Sequence, residues 1–153
     1  MENYIPELQS LLNSINNNVS LLSNASAFLN EKFDDINWVG FYLIDKGQLV
    51  LGPFQGKVAC TNIQIGKGVC GTAYERKMLL NIANVHEFPG HIACDSASNS
   101  EIVIPLIYNG KQFGVLDIDS PSYSRFNGDD ESILQETADI ISNYLYNNLS
   151  KSS

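Results

Sequence analysis

Glu101-Ile-Val-Ile-Pro-Leu-Ile-Tyr-Asn-Gly-Lys-Gln-Phe-Gly-Val-Leu-Asp-Ile-Asp-Ser120 holds two apolar, β-branched runs joined by Asn109-Gly110. That dipeptide between such runs is the strongest short hairpin signal a sequence carries, because both turn positions need positive φ. Strands are therefore expected over Glu101 to Tyr108 and Gln112 to Ser120, paired antiparallel. Asp117 and Asp119 lie two apart and so project from one face, with Leu116 and Ile118 on the other. Glu101 opens the partner strand, so three carboxylates fall on this hairpin.

The hairpin is entered through His86-Glu-Phe-Pro-Gly-His-Ile-Ala-Cys-Asp-Ser-Ala-Ser-Asn-Ser100, a loop carrying a Pro-Gly turn, Cys94 and a run of small polar residues. Loops of about fifteen residues without structure of their own are uncommon in compact domains unless functional or disordered. Ile92, Ala93 and Ala97 give the segment something to bury, and it contains no low-complexity run. A site is the better expectation: a thiol beside a group of acids.

Upstream, Asn37 to Asp45 is an aromatic, β-branched strand, and a Lys46-Gly47 turn leads to a second strand, Gln48 to Leu51. Gly52-Pro-Phe-Gln-Gly56 is expected to interrupt that strand, and Lys57 to Ile65 to resume an extended course containing Cys60. Ile65 to Tyr74 is a glycine-punctuated entry into a short helix and contains Cys70; Leu79 to Val85 is a further strand. Residues 4 to 33 have apolar positions at helical spacing, divided by Asn16-Asn17-Asn18, and Asp129 to Leu149 repeats that spacing as an amphipathic helix. Helices at both ends with about six strands between, several joined by hairpins, describe one α+β domain over 1–153, built on a mostly antiparallel sheet.

The net charge of −8 argues against nucleic acid, which demands clustered cations. No apolar run approaches the ~18 residues of a membrane span, and the start, MENYIPELQS, lacks the pattern of a secretory signal, so a cytoplasmic protein is expected. Three cysteines, an odd number in such a chain, suit reactive thiols better than a structural disulfide framework.

Asn37-Trp-Val-Gly-Phe-Tyr42, Leu51-Gly-Pro-Phe-Gln-Gly56, Gly66-Lys-Gly-Val-Cys-Gly-Thr-Ala73, the Phe88 to Glu101 loop and Gly114-Val-Leu-Asp-Ile-Asp-Ser-Pro121 resemble the free methionine-(R)-sulfoxide reductases, single GAF-type domains. The resemblance covers about Trp38 to Phe126. It implies a GAF-like fold and reduction of free L-methionine (R)-sulfoxide to methionine, without a cofactor, with thioredoxin as reductant. It implies that Cys94 is the nucleophile, Cys60 its usual disulfide partner and Cys70 an alternative or auxiliary partner. Glu101, Asp117 and Asp119 match acids that bind or protonate substrate, and Trp38 and Tyr42 match aromatic residues that wall the pocket. The family often forms homodimers.

The residues taken alone fit that chemistry. Reduction of a sulfoxide needs a thiolate at sulfur and an acid to protonate the departing oxygen. Cys94 on its polar loop can be the first, although most isolated cysteines are small buried hydrophobes. Glu101, if partly buried near the other acids, has the raised pKa that suits a proton donor; a plain strand-start glutamate is the simpler alternative. Once a sulfenic acid forms, a second thiol must condense with it, and Cys60 or Cys70 can do so. Asp117 and Asp119 repel each other, and burying them is costly without a cation; the ammonium of a free amino acid supplies one. Exposed acids at a strand end are the competing account. Trp38 and Tyr42 share strand parity, as pocket wall or as simple core.

A zinc set of His91, Cys94, Cys60 and Cys70 has no supporting ligand spacing, so no metal is expected. Gly66-x-Gly-x-x-Gly71 matches a dinucleotide fingerprint only superficially, since no parallel βαβ unit surrounds it. The rivals from other classes are a ligand-binding sensor module, which has no need of three thiols, and a reductase of peptide-bound methionine sulfoxide.

Overall fold

The computed structural model describes residues 2–90 and 97–151. In chain order it holds helices α1 (Ile5–Leu12) and α2 (Asn18–Lys32), strands β1 (Trp38–Asp45), β2 (Gln48–Gly56) and β3 (Asn62–Gln64), helix α3 (Gly68–Arg76), strands β4 (Leu80–Ile82), β5 (Ser100–Tyr108) and β6 (Lys111–Ser120), and helix α4 (Gly128–Asn148). The six strands form one sheet in the order β3-β2-β1-β6-β5-β4. Every pairing among the described residues is antiparallel. The architecture is the α+β one expected from the pattern of elements.

β5 and β6 meet through Asn109 and Gly110, at φ 50° and 75°, with Tyr108 opposite Lys111. Both positive angles are what a two-residue hairpin turn requires. α2 starts on Asn17, whose side chain accepts from the Ser20 amide at 3.1 Å. α4 starts on a capping box in which Asn127 and Asp130 satisfy each other's backbone amides at 2.9 and 3.0 Å. Arg125 ties this start down, donating to Asp130 at 3.2 Å and to the Asp34 carbonyl at 2.7 Å.

Alternation along the strands divides the core into two layers. On one face Val39, Phe41, Ile102, Ile104, Leu106, Leu116 and Ile118 pack with Leu8, Leu22, Leu29, Leu134 and Ile141 from α1, α2 and α4. On the other, Trp38, Tyr42, Val103 and Val115 pack with Val69, Cys70 and Ala73 of α3. Gly71 lets α3 come this close: a Cβ there would lie 2.3 Å from the Gln64 carbonyl oxygen.

Three local expectations are corrected. β2 is not interrupted at Gly52 to Gly56 but runs to Gly56, and its register against β1 shifts between Gly40 and Tyr42. Pro53 falls within that irregularity and beyond the reach of β3, which pairs only with Gln48 to Val50, so its missing N–H leaves no ladder bond unmade. Of Lys57 to Ile65 only Asn62–Gln64 is strand, and Leu79 to Val85 shrinks to Leu80–Ile82 followed by a 3-10 turn over Val85–Glu87.

Candidate active site

The strand register converts two short motifs into one cluster. Asp119 sits between Trp38 on β1 and Glu101 on β5, and Asp117 sits between Gly40 and Val103. Asp117 and Asp119 face α3, while Leu116 and Ile118 at the alternate positions enter the layer under the long helices. Glu101, Asp117 and Asp119 are 7, 5 and 9 % exposed, so they are not solvated acids at a strand end. They line a cavity of about 60 Å³ together with Trp38, Tyr42, Cys70 and Ser98. Val58, 89 % exposed, and the exposed Lys67 also line it, so the cavity has a solvent edge.

Cys70, near the N-terminus of α3, meets the acids directly. Its Sγ lies 3.9 Å from Glu101 Oε2. One atom each of Cys70, Glu101 and Asp117 falls within a set whose members are all within 4.8 Å of one another. Burial pushes the Glu101 carboxyl well above the ordinary carboxylate range, and the charge of Asp117 pushes it further. Burial does the same to Asp117, with the charge of Asp119 next. Glu101 therefore has the character of a carboxylic acid able to give up a proton. Burial, then Asp117, raises the Cys70 thiol too, which keeps it protonated and a weak nucleophile.

Asp117 Oδ1 is buried and has no hydrogen-bond partner. A proton shared between the carboxyls, the Cys70 thiol or a cation entering the cavity can serve it. A buried acceptor left in this way is costly in an empty pocket and becomes favourable once an ammonium group or metal ion arrives.

Trp38 and Tyr42 line the cavity and stack at 5.9 Å between ring centroids, and Phe54 of β2 continues the stack against Trp38 at 5.1 Å. They also hold the connection between β2 and β3. Trp38 Nε1 donates to the Lys57 carbonyl at 3.1 Å, and the Tyr42 hydroxyl donates to the Cys60 carbonyl at 2.9 Å. Burial, then Asp117, raises the Tyr42 phenol, so it stays a donor. The apolar wall expected from strand parity is thus also a tether for the segment carrying Cys60. Cys60 is disulfide-bonded, whereas Cys70 is a free thiol.

Cys94 and His91 lie outside the described residues. The loop is described again from Ala97, and Ser98, four positions past Cys94, lines the cavity and accepts from Asn37 Nδ2 at 3.1 Å. His86 is bonded through Nε2 to Asn99 at 2.8 Å and is not among the residues lining the cavity. Sequence reasoning missed Ile63 and Lys67, whose ordinary side chains give no signal until α3 is folded against the sheet, whereas Ser98 belongs to the small polar run already taken as part of the site.

These features are those of a GAF domain. The GAF domain family model matches residues 20–145, and the chain belongs to that family. It is 55% identical over 118 residues to the free methionine-R-sulfoxide reductase of Escherichia coli, covering 77% of this chain and 72% of that protein. Among solved structures it is similar to the reduced fRMsr of Staphylococcus aureus, with 47% identity, TM-score 0.90 and 95% and 96% of the two chains covered. It is also similar to the free methionine-R-sulfoxide reductase of Neisseria meningitidis in complex with its substrate, with 40% identity, TM-score 0.92 and 96% and 89% covered. Within the GAF domains, the chain belongs to the free methionine-R-sulfoxide reductase family.

Proposed function

We propose that this protein reduces free L-methionine (R)-sulfoxide to methionine, with Cys94 as nucleophile. The observation that carries the proposal is the buried group of Glu101, Asp117 and Asp119 around an unsatisfied Asp117 oxygen. An amino acid with a free ammonium satisfies that oxygen and offsets the acids' burial; a methionine sulfoxide residue within a peptide brings no such charge. Trp38 and Tyr42 offer the apolar side of the cavity to the thioether end of the substrate.

The Cys94 thiol, as thiolate, attacks the sulfoxide sulfur while Glu101 gives its proton to the oxygen; methionine leaves and Cys94 is left as a sulfenic acid. A second thiol condenses with it, releasing water and forming a disulfide. Cys60 takes this role, because it is found oxidised on the tethered β2–β3 connection while Cys70 is free and held protonated. A dithiol donor such as thioredoxin then reduces the disulfide and is itself oxidised. Such a cycle suits a cytoplasmic setting, where thiols are kept reduced. Among the described residues no helix is long and apolar enough to cross a membrane.

Incubation with dithiothreitol and each sulfoxide epimer, free and peptide-bound, tests the proposal. Methionine should appear from the free (R) epimer alone. Retained turnover in Cys94→Ser would refute the assignment of the nucleophile. Single-turnover release of methionine should survive Cys60→Ser, with only recycling slowed. The homodimer implied by the family is checked by sedimentation of the purified chain.

A further inference from the structure

Together with Cys70, which substrate reduction leaves unused, the carboxylates of the cavity floor have a second chemistry. Cys70 contributes a soft sulfur and Glu101 and Asp117 a hard oxygen each, all buried and all within 4.8 Å of one another. Ligand atoms around a tetrahedral Zn²⁺, bound at about 2.0 to 2.3 Å, stand roughly 3.3 to 3.8 Å apart. The Cys70 Sγ to Glu101 Oε2 separation of 3.9 Å is within a small side-chain adjustment of that spacing. The observation that points to a ligand is Asp117 Oδ1, which is buried and without a hydrogen-bond partner in a residue only 5 % exposed, the same oxygen that the proposed substrate ammonium would meet.

We propose that Cys70, Glu101 and Asp117 form a three-ligand site for a soft divalent cation, Zn²⁺ or Cd²⁺, at the floor of the cavity, where the ion occupies the place of a cationic substrate group and blocks it. The fourth coordination position faces the cavity, as in zinc sites with three protein ligands. The thiolate favours Zn²⁺ or Cd²⁺ over Mg²⁺ and Ca²⁺, which prefer all-oxygen sites. Binding is a ligand exchange in which no electrons move: the Cys70 thiol and whichever carboxyls are protonated give their protons to solvent as the metal bonds form. The site shares only Cys70 with a set of His91, Cys94, Cys60 and Cys70, and does not need the other three.

Metal binding itself does not depend on the reductase proposal, whereas its blocking of a cationic substrate group rests on that reading, and the test keeps the two apart. In the double variant Cys60→Ser/Cys94→Ser, Cys70 is the remaining cysteine of three. Cd²⁺ titrated into this protein should give a saturable thiolate-to-metal charge-transfer band at one ion per chain, with proton release read from calorimetry in buffers of different ionisation enthalpy. Adding Cys70→Ser should remove the band. Asp117→Asn, nearly isosteric, should weaken binding at least roughly tenfold. A folded double variant without the band, or a band that survives Cys70→Ser, overturns the site. Free methionine added afterwards should displace the ion; if it fails to do so while the band behaves as stated, the metal site stands and the ammonium pocket of the reductase proposal falls.

Discussion

The two faces of β5 and β6 are built from alternate residues of the same strands and do opposite things. Toward α1, α2 and α4 the strands present Ile102, Ile104, Leu106, Leu116 and Ile118, which carry no charge and pack in an apolar layer. Toward α3 they present Glu101, Asp117 and Asp119, also buried, with Glu101 and Asp117 held there at an electrostatic cost. Period-two alternation lets one hairpin carry both, so the stable face holds the costly one in place. Stability and chemistry should therefore separate by residue parity.

The largest effect belongs to the stable face. Ile104→Ala should cost about 2 to 5 kcal/mol of unfolding free energy, because Ile104 is fully buried and the packed layer can collapse only partly around the gap. Denaturant titration checks this, and turnover per folded molecule should hardly change. Asp117→Asn should do the reverse: kcat/KM for free methionine (R)-sulfoxide should fall about a hundredfold, roughly 2.7 kcal/mol of transition-state stabilisation, while Tm at neutral pH rises. A variant of Asp117 that loses both activity and stability would break the comparison.

Glu101 and Asp117 both have pKa values raised in the folded protein, so between the ordinary carboxylate value of about 4 and the raised values the folded state binds more protons than the unfolded chain. These two groups therefore make stability greatest below that window and lower it as pH rises through it. Thermal melts of the substrate-free protein should show this decline, and Asp117→Asn should flatten it. The smallest effect is that of Tyr42→Phe, which removes the bond to the Cys60 carbonyl. It should cost about 1 kcal/mol and slow recycling by dithiol more than it slows the first turnover.

The hairpin was legible because Asn109-Gly110 admits few alternatives, and the two-layer alternation was legible in Leu116-Asp-Ile-Asp119. The fate of Pro53 was not: whether a proline ends a strand depends on which neighbour its backbone faces, and β3 stops short of it. For the site, same-face projection of Asp117 and Asp119 could be read from spacing, but not their burial, which α3 imposes from thirty positions or more away in sequence. Cys70 shows the limit most clearly. Its place at a helix entry suggests no more than an auxiliary disulfide partner, and only the approach permitted by Gly71 puts its sulfur against Glu101. The tether from Tyr42 to Cys60 likewise joins a strand to an irregular connection, a contact with no periodicity to announce it.

The central claim is that the acidic cavity selects a free amino acid by its ammonium group. The most direct measurement compares reduction of free L-methionine (R)-sulfoxide with that of the same compound acetylated on its nitrogen, with dithiothreitol as electron source. The account predicts ready turnover of the free compound and at least a hundredfold loss of kcat/KM, about 2.7 kcal/mol, on acetylation. Equal rates for the two would contradict it.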